Sequence, residues 1–349
     1  MHLFLTPEDV WLFRDGRPFD AASSHRARSL FPPYASVMQG AIRSHQLILK
    51  GVDLQDKSAI KAAVGTADDY ISLQMRGPFI AKYINDRLTR YFPRPADWFP
   101  VNEQSDKIHA LTPVAHPAGI QANISDSDLP YLLLPPNFKP GKKEYGEWLS
   151  EIDLKIYLSG KEVTPIKSSE LFMRESRVGI KLGSSTRATE QGMLYEAEFI
   201  RSLEHVGLYI EVQGYDDWPN QGMLKIGGES HAASFQMVEV DDWETPPKSL
   251  TGRFKVYFAS PAYFRNGWLP SNWKQFFGVE ITPCAVALKG YDSVGGFDYV
   301  NHGDKASQRY VPAGSVYFFE TKDEIVSIAP AFTEVGSQIG LGQVMFAQW

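Results

Sequence analysis

Basic side chains gather between residues 14 and 43, around the start of a predicted helix. Four arginines precede the helix: Arg14, Arg17, Arg26 and Arg28. The helix is predicted over about residues 36–49, where Ser36, Gly40 and Arg43 are spaced at i, i+4 and i+7 and so share one face. Unpaired backbone N–H groups at a helix start and arginine guanidiniums both bind phosphate. The segment therefore predicts contact with phosphate groups.

The same segment has a second interpretation that needs no ligand. In it, two arginines pair with neighbouring aspartates in a solvated loop: Arg14 and Arg17 with Asp15 and Asp20. Gly40 lowers helix stability and so needs a reason, which is either close approach by a phosphate backbone or packing against a strand. A capping box is predicted at the helix start, with Ser36 as the N-cap and Gln39 reaching back to it.

Two further stretches carry candidate phosphate contacts. In residues 175–195, basic residues lie among glycines and small hydroxyl residues: Arg177, Lys181 and Arg187. A hairpin tip of this kind can follow a phosphate backbone, and an ordinary exposed hairpin has the same composition. Near residue 340, three glycines precede a predicted strand: Gly336, Gly340 and Gly342. Glycine-rich loops cradle phosphates through backbone N–H groups, but this spacing does not match the G-x-x-x-x-G-K-[ST] nucleotide-binding loop.

Signals for catalysis are sparse. The eight histidines are scattered, and the sequence has no HExxH motif, no GxSxG motif and no acidic cluster at metal-binding spacing. His25 and His45 lie among arginines and are the candidates for acid–base cleavage of RNA. Glu229 and His231 alternate onto one face of a predicted strand, where such a pair is more often structural than catalytic. We expect no catalytic residue, no metal ion and no cofactor.

Composition and charge limit the class of protein. Hydrophobic residues make up 43% and charged residues 22% of the 349 residues, as in ordinary folded proteins. The formal net charge is −6, whereas free-standing nucleic-acid binders are usually basic, so any nucleic-acid surface is expected to be a local patch. The one cysteine, Cys284, excludes an intramolecular disulfide and a cysteine zinc cage. Without a membrane-length apolar run or a signal-peptide pattern, a soluble cytoplasmic protein is expected.

Strand signals dominate the second half of the sequence. Helices are predicted at about residues 36–49, 142–149 and 152–158, whereas short apolar strand patterns recur after residue 171. Helices and strands that are mixed in this way predict an α+β protein. With about 150 residues expected per domain, we predict two domains, residues 1–160 and 161–349.

Several motifs in a fixed order resemble a known family. They are RDGRPF from Arg14, SLFPPYASVMQGAIR from Ser29, RVGIKL from Arg177, TRATEQGMLY from Thr186, GGES from Gly227, GGFD from Gly295 and VPAGSVYFFE from Val311. The combination resembles the third subunit, a member of the RAMP superfamily, of the Cmr effector complex in type III-B CRISPR systems. The motifs span nearly the whole sequence, and their combination is more specific than any one of them.

The resemblance implies a fold and a role. The implied fold is two tandem ferredoxin-like (RRM-like) domains with loop and hairpin insertions. The implied role is a non-catalytic, RNA-binding subunit that grips the five-prime tag of the CRISPR RNA (crRNA), beside the large polymerase-like subunit and the backbone RAMP subunit. Target RNA cleavage then belongs to the backbone subunit. The matching positions in this sequence are Arg14, Arg17, Arg26, Arg28, Ser36, Gly40 and Arg43.

Two other functions remain open from the sequence. The first is a metal-independent endoribonuclease of the same superfamily that processes crRNA, which requires His25 or His45. The second is an assembly protein that touches no RNA, for which reversing the charge at Arg14, Arg17 and Arg43 leaves RNA binding by the complex unchanged.

Overall fold

The computed structural model describes residues 1–14, 26–67, 69–116, 129–136, 144–182, 189–241, 246–298 and 303–349. Within these residues the chain is an α+β protein with few helices and mostly antiparallel sheets, which confirms the predicted class. The helices are α1 (Ala35–Leu49), α2 (Lys57–Val64), α3 (Glu151–Leu158) and α4 (Lys274–Phe277).

Most of the strands follow one another in long runs between these helices. In order, the described strands are β1 (His2–Pro7), β2 (Arg26–Ala27), β3 (Gln74–Ile84), β4 (Arg87–Pro93), β5 (Trp98–Pro100), β6 (Ile108–Ala110), β7 (Pro113–Ala115), β8 (Tyr131–Leu133), β9 (Trp148–Ser150), β10 (Phe172–Leu182), β11 (Thr189–Ser202), β12 (Val206–Gln213), β13 (Gln221–Lys225), β14 (Ala232–Met237), β15 (Leu250–Phe258), β16 (Ala285–Ala287), β17 (Asp292–Asp298), β18 (Gly303–Tyr310), β19 (Val316–Ile325) and β20 (Val344–Gln348).

The chain divides into two compact units that alternate along the sequence. Unit 1 comprises Met1–Leu88, Ser169–Val240 and Ser293–Gln308. Unit 2 comprises Thr89–Ser168, Asp241–Asp292 and Arg309–Trp349. The sequence analysis places one boundary between residues 160 and 161, whereas each unit draws on three segments of the chain. That domain boundary stays a prediction.

Unit 1 is built on an antiparallel sheet in the order β13–β14–β1–β12–β3. Strand β12 lies between β1 and β3, and its residues from Val206 to Val212 are all buried. A strand that is buried on both faces is apolar along most of its length, and the exception here is Glu211, which pairs with Arg76. Helix α1 packs on this sheet, and its buried Met38, Ala41 and Ile42 are spaced at i, i+3 and i+4 along one face.

Unit 1 also contains a three-stranded sheet in the order β10–β11–β2. Strands β10 and β11 form a long antiparallel hairpin, and β2 runs parallel to β11. A small apolar cluster lies against this sheet: Val10, Leu12, Ala27, Ala197 and Phe199. The cluster joins the residues that follow β1 to the residues that precede α1, so it positions the basic segment.

Unit 2 has a four-stranded antiparallel sheet in the order β16–β19–β15–β20. Alternate residues of β15, Phe254, Val256 and Phe258, enter an aromatic-rich core on one face. The intervening Lys255 and Tyr257 point to the other face. There Tyr257 donates a hydrogen bond to the carbonyl of Pro93 at 2.6 Å.

A buried ion pair lies on the face of β15 that carries Lys255 and Tyr257. Lys255 Nζ lies 3.2 Å from Asp97 Oδ2, and both side chains are almost completely inaccessible to solvent. The Tyr157 hydroxyl donates to Asp97 Oδ1 at 3.0 Å. Burial, together with the Asp97 carboxylate, raises the pKa of Tyr157 well above its usual range, so this donor keeps its proton. Removing one partner would leave a buried charge without its counter-charge.

The structure confirms some predicted elements and corrects others. The predicted helices at about 36–49 and 152–158 correspond to α1 and α3. The helix predicted at 142–149 is wrong, because Trp148–Ser150 forms β9, which pairs with β4. Residues 142 and 143 lie outside the described residues. The sequence analysis missed α2, whose N-cap Asp56 accepts hydrogen bonds from the N–H groups of Ser58 and Ala59.

We predict that Asp97→Ala lowers the free energy of unfolding by about 3–5 kcal/mol, because it strands the Lys255 ammonium in the interior. Chemical denaturation of the full chain measures the change. The control is Glu162→Gln, which removes the exposed Lys107–Glu162 pair at 3.7 Å and should cost less than about 1 kcal/mol. Equal effects of the two substitutions would contradict the role of the buried pair.

Candidate nucleic-acid interface

The start of α1 is held by the backbone and not by a side-chain cap. Tyr34 is the N-cap residue, in an extended conformation and without a side-chain capping bond. The predicted capping box is therefore wrong. The helix starts one residue earlier than predicted, so Ser36 lies inside the first turn and is exposed. Gln39 Nε2 instead donates to the carbonyl of Ser36 at 3.0 Å.

The helix surface around Gly40 is open. No atom lies within 4 Å of where a Cβ would stand at this position. Packing against a strand, one of the two reasons considered for this glycine, therefore does not account for it in the described structure. A glycine inside a helix costs roughly 0.5–1 kcal/mol relative to alanine. The other reason, close approach by a phosphate backbone, stays a prediction.

Arg43 lies on the same helix and already has intramolecular partners. Its guanidinium donates to the Gln39 side-chain oxygen at 3.1 Å and to the carbonyl of Thr66 at 2.8 Å. The group also lies over the Tyr70 ring, 5.4 Å from its centroid. The remaining Nε is buried without a hydrogen-bond partner. Arg43 therefore ties α1 to the loop after α2, whatever it also contacts outside the chain.

Arg14 and Arg28 lie on two paired stretches of backbone in unit 1. Arg14 forms an isolated antiparallel bridge with Ser29, and the Leu30 N–H donates to the Phe13 carbonyl at 2.8 Å. Both arginine side chains are exposed. Arg28 follows β2, between the buried residues Ala27 and Ser29, so strand alternation turns it outward. The two arginines thus lie on neighbouring stretches of backbone, but the pairing puts the Arg14 side chain on the face of Ser29 and alternation turns Arg28 to the opposite face.

A buried carboxylate fixes the backbone beside Arg28. Glu198 Oε1 accepts hydrogen bonds from the Ser29 N–H at 3.4 Å and from Arg174 at 2.5 Å. Arg174 also donates to the Ser29 carbonyl at 2.9 Å, and about half of its side chain is exposed. The sequence analysis did not select Arg174. Its position opposite Ser29 depends on the pairing of β10, β11 and β2, which no local pattern reveals.

Arg177 belongs to a ring of four charged side chains, three on the β10–β11 hairpin and one, Asp9, after β1. Its guanidinium bonds Asp9 at 3.0 Å and Glu175 at 2.7 Å, and Arg201 bonds the same two carboxylates at 3.0 and 2.6 Å. Hydrogen bonds from the two arginines lower the pKa of both Asp9 and Glu175. The Arg177 guanidinium also covers the Phe199 ring, 4.7 Å from its centroid. Any phosphate at Arg177 would compete with two carboxylates.

Several predicted contacts lie outside the described residues. Arg17, His25 and Arg187 are among the residues whose placement is not described. For Arg26 and Lys181 the backbone is described within β2 and β10, but the side chains are not. Their assignment as RNA contacts stays a prediction.

The three glycines near residue 340 belong to unit 2 and shape a turn before β20. All three have positive φ: +75° at Gly336, +97° at Gly340 and +67° at Gly342. The Gly342 N–H donates to the carbonyl of Pro261 at 2.8 Å, and its own carbonyl accepts from the Phe332 N–H at 2.7 Å. The Gly340 N–H donates to Ser337. These amides are used within the chain, which gives the glycines a structural role; phosphate contact at Gly340 and Gly342 stays a prediction.

The histidines that are described do not form an acid–base centre. His45 lies between the Trp218 and Phe235 rings, at centroid distances of 4.5 and 5.4 Å, and its Nε2 is buried without a partner. Burial lowers the pKa of His45, so it stays neutral near pH 7. Glu229 and His231 do not share a strand face as predicted, because Glu229 lies in a turn with φ +52° and His231 packs on Phe199.

Metal and membrane features can be assessed only for the residues that the structure describes. Among them, no group of three or more His, Cys, Asp or Glu side chains is arranged to hold a metal ion. In the same residues, every helix is too short or too polar to cross a bilayer. Burial raises the pKa of Cys284 to about 11, so its thiol stays protonated at neutral pH.

The fold defines an α+β protein with an antiparallel four-stranded or larger sheet in each unit. The sequence model of the family "CRISPR-associated protein (Cas_Cmr3)" matches residues 3–349. The chain therefore belongs to this family of CRISPR-associated proteins. No curated protein matches the sequence.

Solved structures with a similar fold come from CRISPR complexes. A chain in the cryo-EM structure of the type III-B Cmr-beta complex bound to cognate target RNA and AMPPnP has 18% identity and a TM-score of 0.50. A chain in the same complex bound to cognate target RNA has 19% identity and a TM-score of 0.50. In each comparison 91% of this chain and 86% of the other are covered. At these identities the likeness concerns the fold.

We predict that Gly40→Ala raises the free energy of unfolding by about 0.5–1 kcal/mol, because the helix gains and the added methyl meets no atom. The matched control is Gly342→Ala, where φ is +67° and a Cβ would stand 2.5 Å from the Phe332 carbonyl oxygen. That substitution should destabilise by more than about 1 kcal/mol. Urea denaturation measures both, and a destabilising Gly40→Ala would indicate a packing role.

We also predict that the ring of Asp9, Glu175, Arg177 and Arg201 contributes stability that is lost in acid. Because the two carboxyl pKa values lie below their ordinary 3.8 and 4.5, the contribution is present at neutral pH and disappears as pH falls through the lowered pKa values. Between pH 6 and pH 3, the free energy of unfolding should fall less steeply with decreasing pH in the Asp9→Asn, Glu175→Gln double variant than in the wild-type protein. An unchanged slope would contradict this role.

Proposed function

We propose that this chain is a non-catalytic, RNA-binding scaffold subunit of a type III-B CRISPR effector complex. It grips the five-prime tag of the crRNA and joins the large polymerase-like subunit to the backbone RAMP filament, in the cytoplasm. The observation that carries the proposal is the family match, which extends from residue 3 to residue 349. The fold likeness to chains of the Cmr-beta complex agrees with it.

The strand order supports two ferredoxin-like domains. In a ferredoxin-like fold the four strands of a β-α-β-β-α-β chain lie in the order 4-1-3-2. In unit 1 the order β14–β1–β12–β3, with α1 after the first strand, fits this scheme. In unit 2 the order β20–β15–β19–β16, with α4 after the first strand, fits it again. In both, the second helix of the scheme is replaced by loops and short elements.

The arginines of unit 1 supply the phosphate contacts in this proposal. Arg28 makes no hydrogen bond or ion pair with any described residue, and its side chain is exposed. The backbone beneath it is fixed by Glu198 and Arg174. A guanidinium on a backbone that is already fixed binds phosphate without the added cost of ordering that backbone. A local patch of this kind is compatible with a net charge of −6.

The buried Nε2 of the partly buried His45 favours the non-catalytic role over the endoribonuclease. A general acid or base must reach the proton that it transfers, and it works best with a pKa near the operating pH. His45 packs against the Trp218 and Phe235 rings, its Nε2 is buried without a partner, and burial lowers its pKa, all of which disfavour proton transfer to a ligand. Replacing His45 by Gln should therefore leave any RNA cleavage by the assembled complex unchanged.

A salt-controlled binding titration tests the proposal. The full chain, alone and with the large subunit, is mixed with guide RNA that carries or lacks the five-prime tag. We expect tag-dependent affinity and uncut RNA. Equal affinity for both RNAs would contradict tag recognition, and shortened RNA would contradict the non-catalytic role.

Arg28→Ala in the same titration should weaken binding to all tagged sequences and lower the salt dependence of log K by about one. The control is Arg87→Ala, which removes an equally exposed arginine in β4 of unit 1. If the salt dependence of log K is unchanged in Arg28→Ala, or is lowered equally by Arg87→Ala, Arg28 does not contact a phosphate.

A further inference from the structure

Arg28 and Arg174 lie on one face of the three-stranded sheet in unit 1. Ala27 of β2 pairs with Ala197 of β11, and both belong to the apolar cluster on the opposite face. Strand alternation therefore turns the residues that follow them, Arg28 and Glu198, away from that cluster. Arg174 Nη1 donates to Glu198 Oε1 at 2.5 Å, which places the Arg174 guanidinium on the same face as Arg28.

The Arg174 guanidinium reaches the backbone beside Arg28. Its Nη1 also donates to the carbonyl of Ser29 at 2.9 Å, so the side chain crosses from β10 over β11 to the residue that follows Arg28. Glu198 Oε1 accepts from the Ser29 N–H at 3.4 Å as well, and it thus fixes both this backbone and the guanidinium. The Arg174 guanidinium therefore lies within one residue of the point where the Arg28 side chain leaves the backbone.

The charged groups on this face are arranged with the guanidinium outward and the carboxylate inward. The Glu198 side chain is 9% exposed, whereas that of Arg174 is 51% exposed. A guanidinium has five N–H donors, and both hydrogen bonds just described use Nη1. The other carboxylate on this face, Glu196, accepts from the Ser176 hydroxyl. The exposed half of the Arg174 side chain can therefore meet a ligand that accepts hydrogen bonds, beside Arg28.

The same face continues along β10 as an exposed strand surface. Ser176 and Val178 alternate with Arg174, and all three side chains are exposed, Val178 to 67%. Arginine and hydroxyl side chains bind the phosphates and sugars of nucleic acids, and apolar side chains contact the bases. An RNA strand carries a phosphate at every nucleotide, so two neighbouring guanidiniums can each bind one. This repeat of anions favours RNA as the ligand over an acidic protein segment.

We propose that Arg174 binds a phosphate of the crRNA directly, next to the phosphate that Arg28 binds. The inference rests on the proposed function and deepens it by naming a second phosphate-binding residue on the same surface. It differs from a purely structural role, in which Arg174 only fixes the backbone beneath Arg28. Because Glu198 orients the guanidinium before RNA binds, little side-chain freedom is lost on binding.

The salt dependence of RNA binding tests the assignment. The full chain, assembled with its large-subunit partner, is titrated with tagged guide RNA at several salt concentrations. Arg174→Ala should lower the salt dependence of log K by about one. The matched control is Arg201→Ala, at an arginine that also bonds a carboxylate of the same hairpin but lies on its opposite face. That substitution should leave the salt dependence unchanged.

A double variant separates direct contact from positioning. Arg28→Ala combined with Arg174→Ala should lower the salt dependence by about two, because each side chain contacts its own phosphate. A decrease of about one, equal to that of Arg28→Ala alone, would mean that Arg174 only fixes the backbone beneath Arg28, and it would overturn the inference. Arg174→Gln keeps an amide donor for the Ser29 carbonyl and removes the charge, so it should give the same decrease as Arg174→Ala even if the alanine variant does not fold.

The remaining outcomes distinguish this inference from the proposed function. An unchanged salt dependence in Arg174→Gln, with tag dependence intact, would overturn the inference and leave the proposed function standing. Loss of the large subunit from the complex, with the salt dependence unchanged, would overturn it in favour of a protein contact. Equal binding of tagged and untagged RNA by the wild-type protein would overturn both proposals.

Discussion

The short extended segment from Val10 to Arg14 is the constraint on which the candidate interface depends. Its backbone forms hydrogen bonds with three other segments of unit 1. Trp11 exchanges hydrogen bonds with Ile200 of β11 at 2.8 and 2.9 Å, the Leu12 carbonyl accepts from Gly228, and the Phe13 carbonyl accepts from Leu30. These five residues therefore contact the hairpin, the β13–β14 turn and the approach to the first helix. They also fix the backbone of Arg14 and of the residues beside Arg28.

The side chains of this segment are as important as its backbone. Val10 to Phe13 are all buried, and Val10 and Leu12 pack with Ala27, Ala197 and Phe199. The strength of hydrogen bonds in such a site comes from exclusion of water, and the apolar cluster provides it. The arginines can therefore project into solvent from a rigid base.

The sequence predicts the classes of element better than their tertiary partners. The apolar spacing of α1 and the strand patterns after residue 171 are local signals, and both are confirmed in the structure. The N-cap was misassigned because Ser36 satisfies a local rule, whereas the helix begins at Ala35, after Pro32 and Pro33. Glycines near residue 340 matched a phosphate-loop composition, but their amides are bonded to Pro261 and Ser337, which only the folded chain reveals.

The site residues that the sequence analysis does not identify are those held by contacts between residues far apart in the sequence. Arg174 and Glu198 form hydrogen bonds with the backbone of Ser29, from which they are more than 140 residues distant in sequence. The Gly228 N–H donates to the Leu12 carbonyl over a sequence separation of more than 200 residues. A local pattern carries no information about such pairs. The 4-1-3-2 strand order has the same origin, because β1 pairs with β12 and β14, both far along the chain.

The central claim is that the surface around Arg28 contacts the five-prime tag. The most direct measurement is photo-crosslinking of the assembled complex to guide RNA that carries 4-thiouridine or 6-thioguanosine in the tag, with the linked peptides identified by mass spectrometry. The account predicts crosslinks to peptides that contain residues 26–30. Crosslinks confined to peptides of unit 2, with none in unit 1, would contradict it.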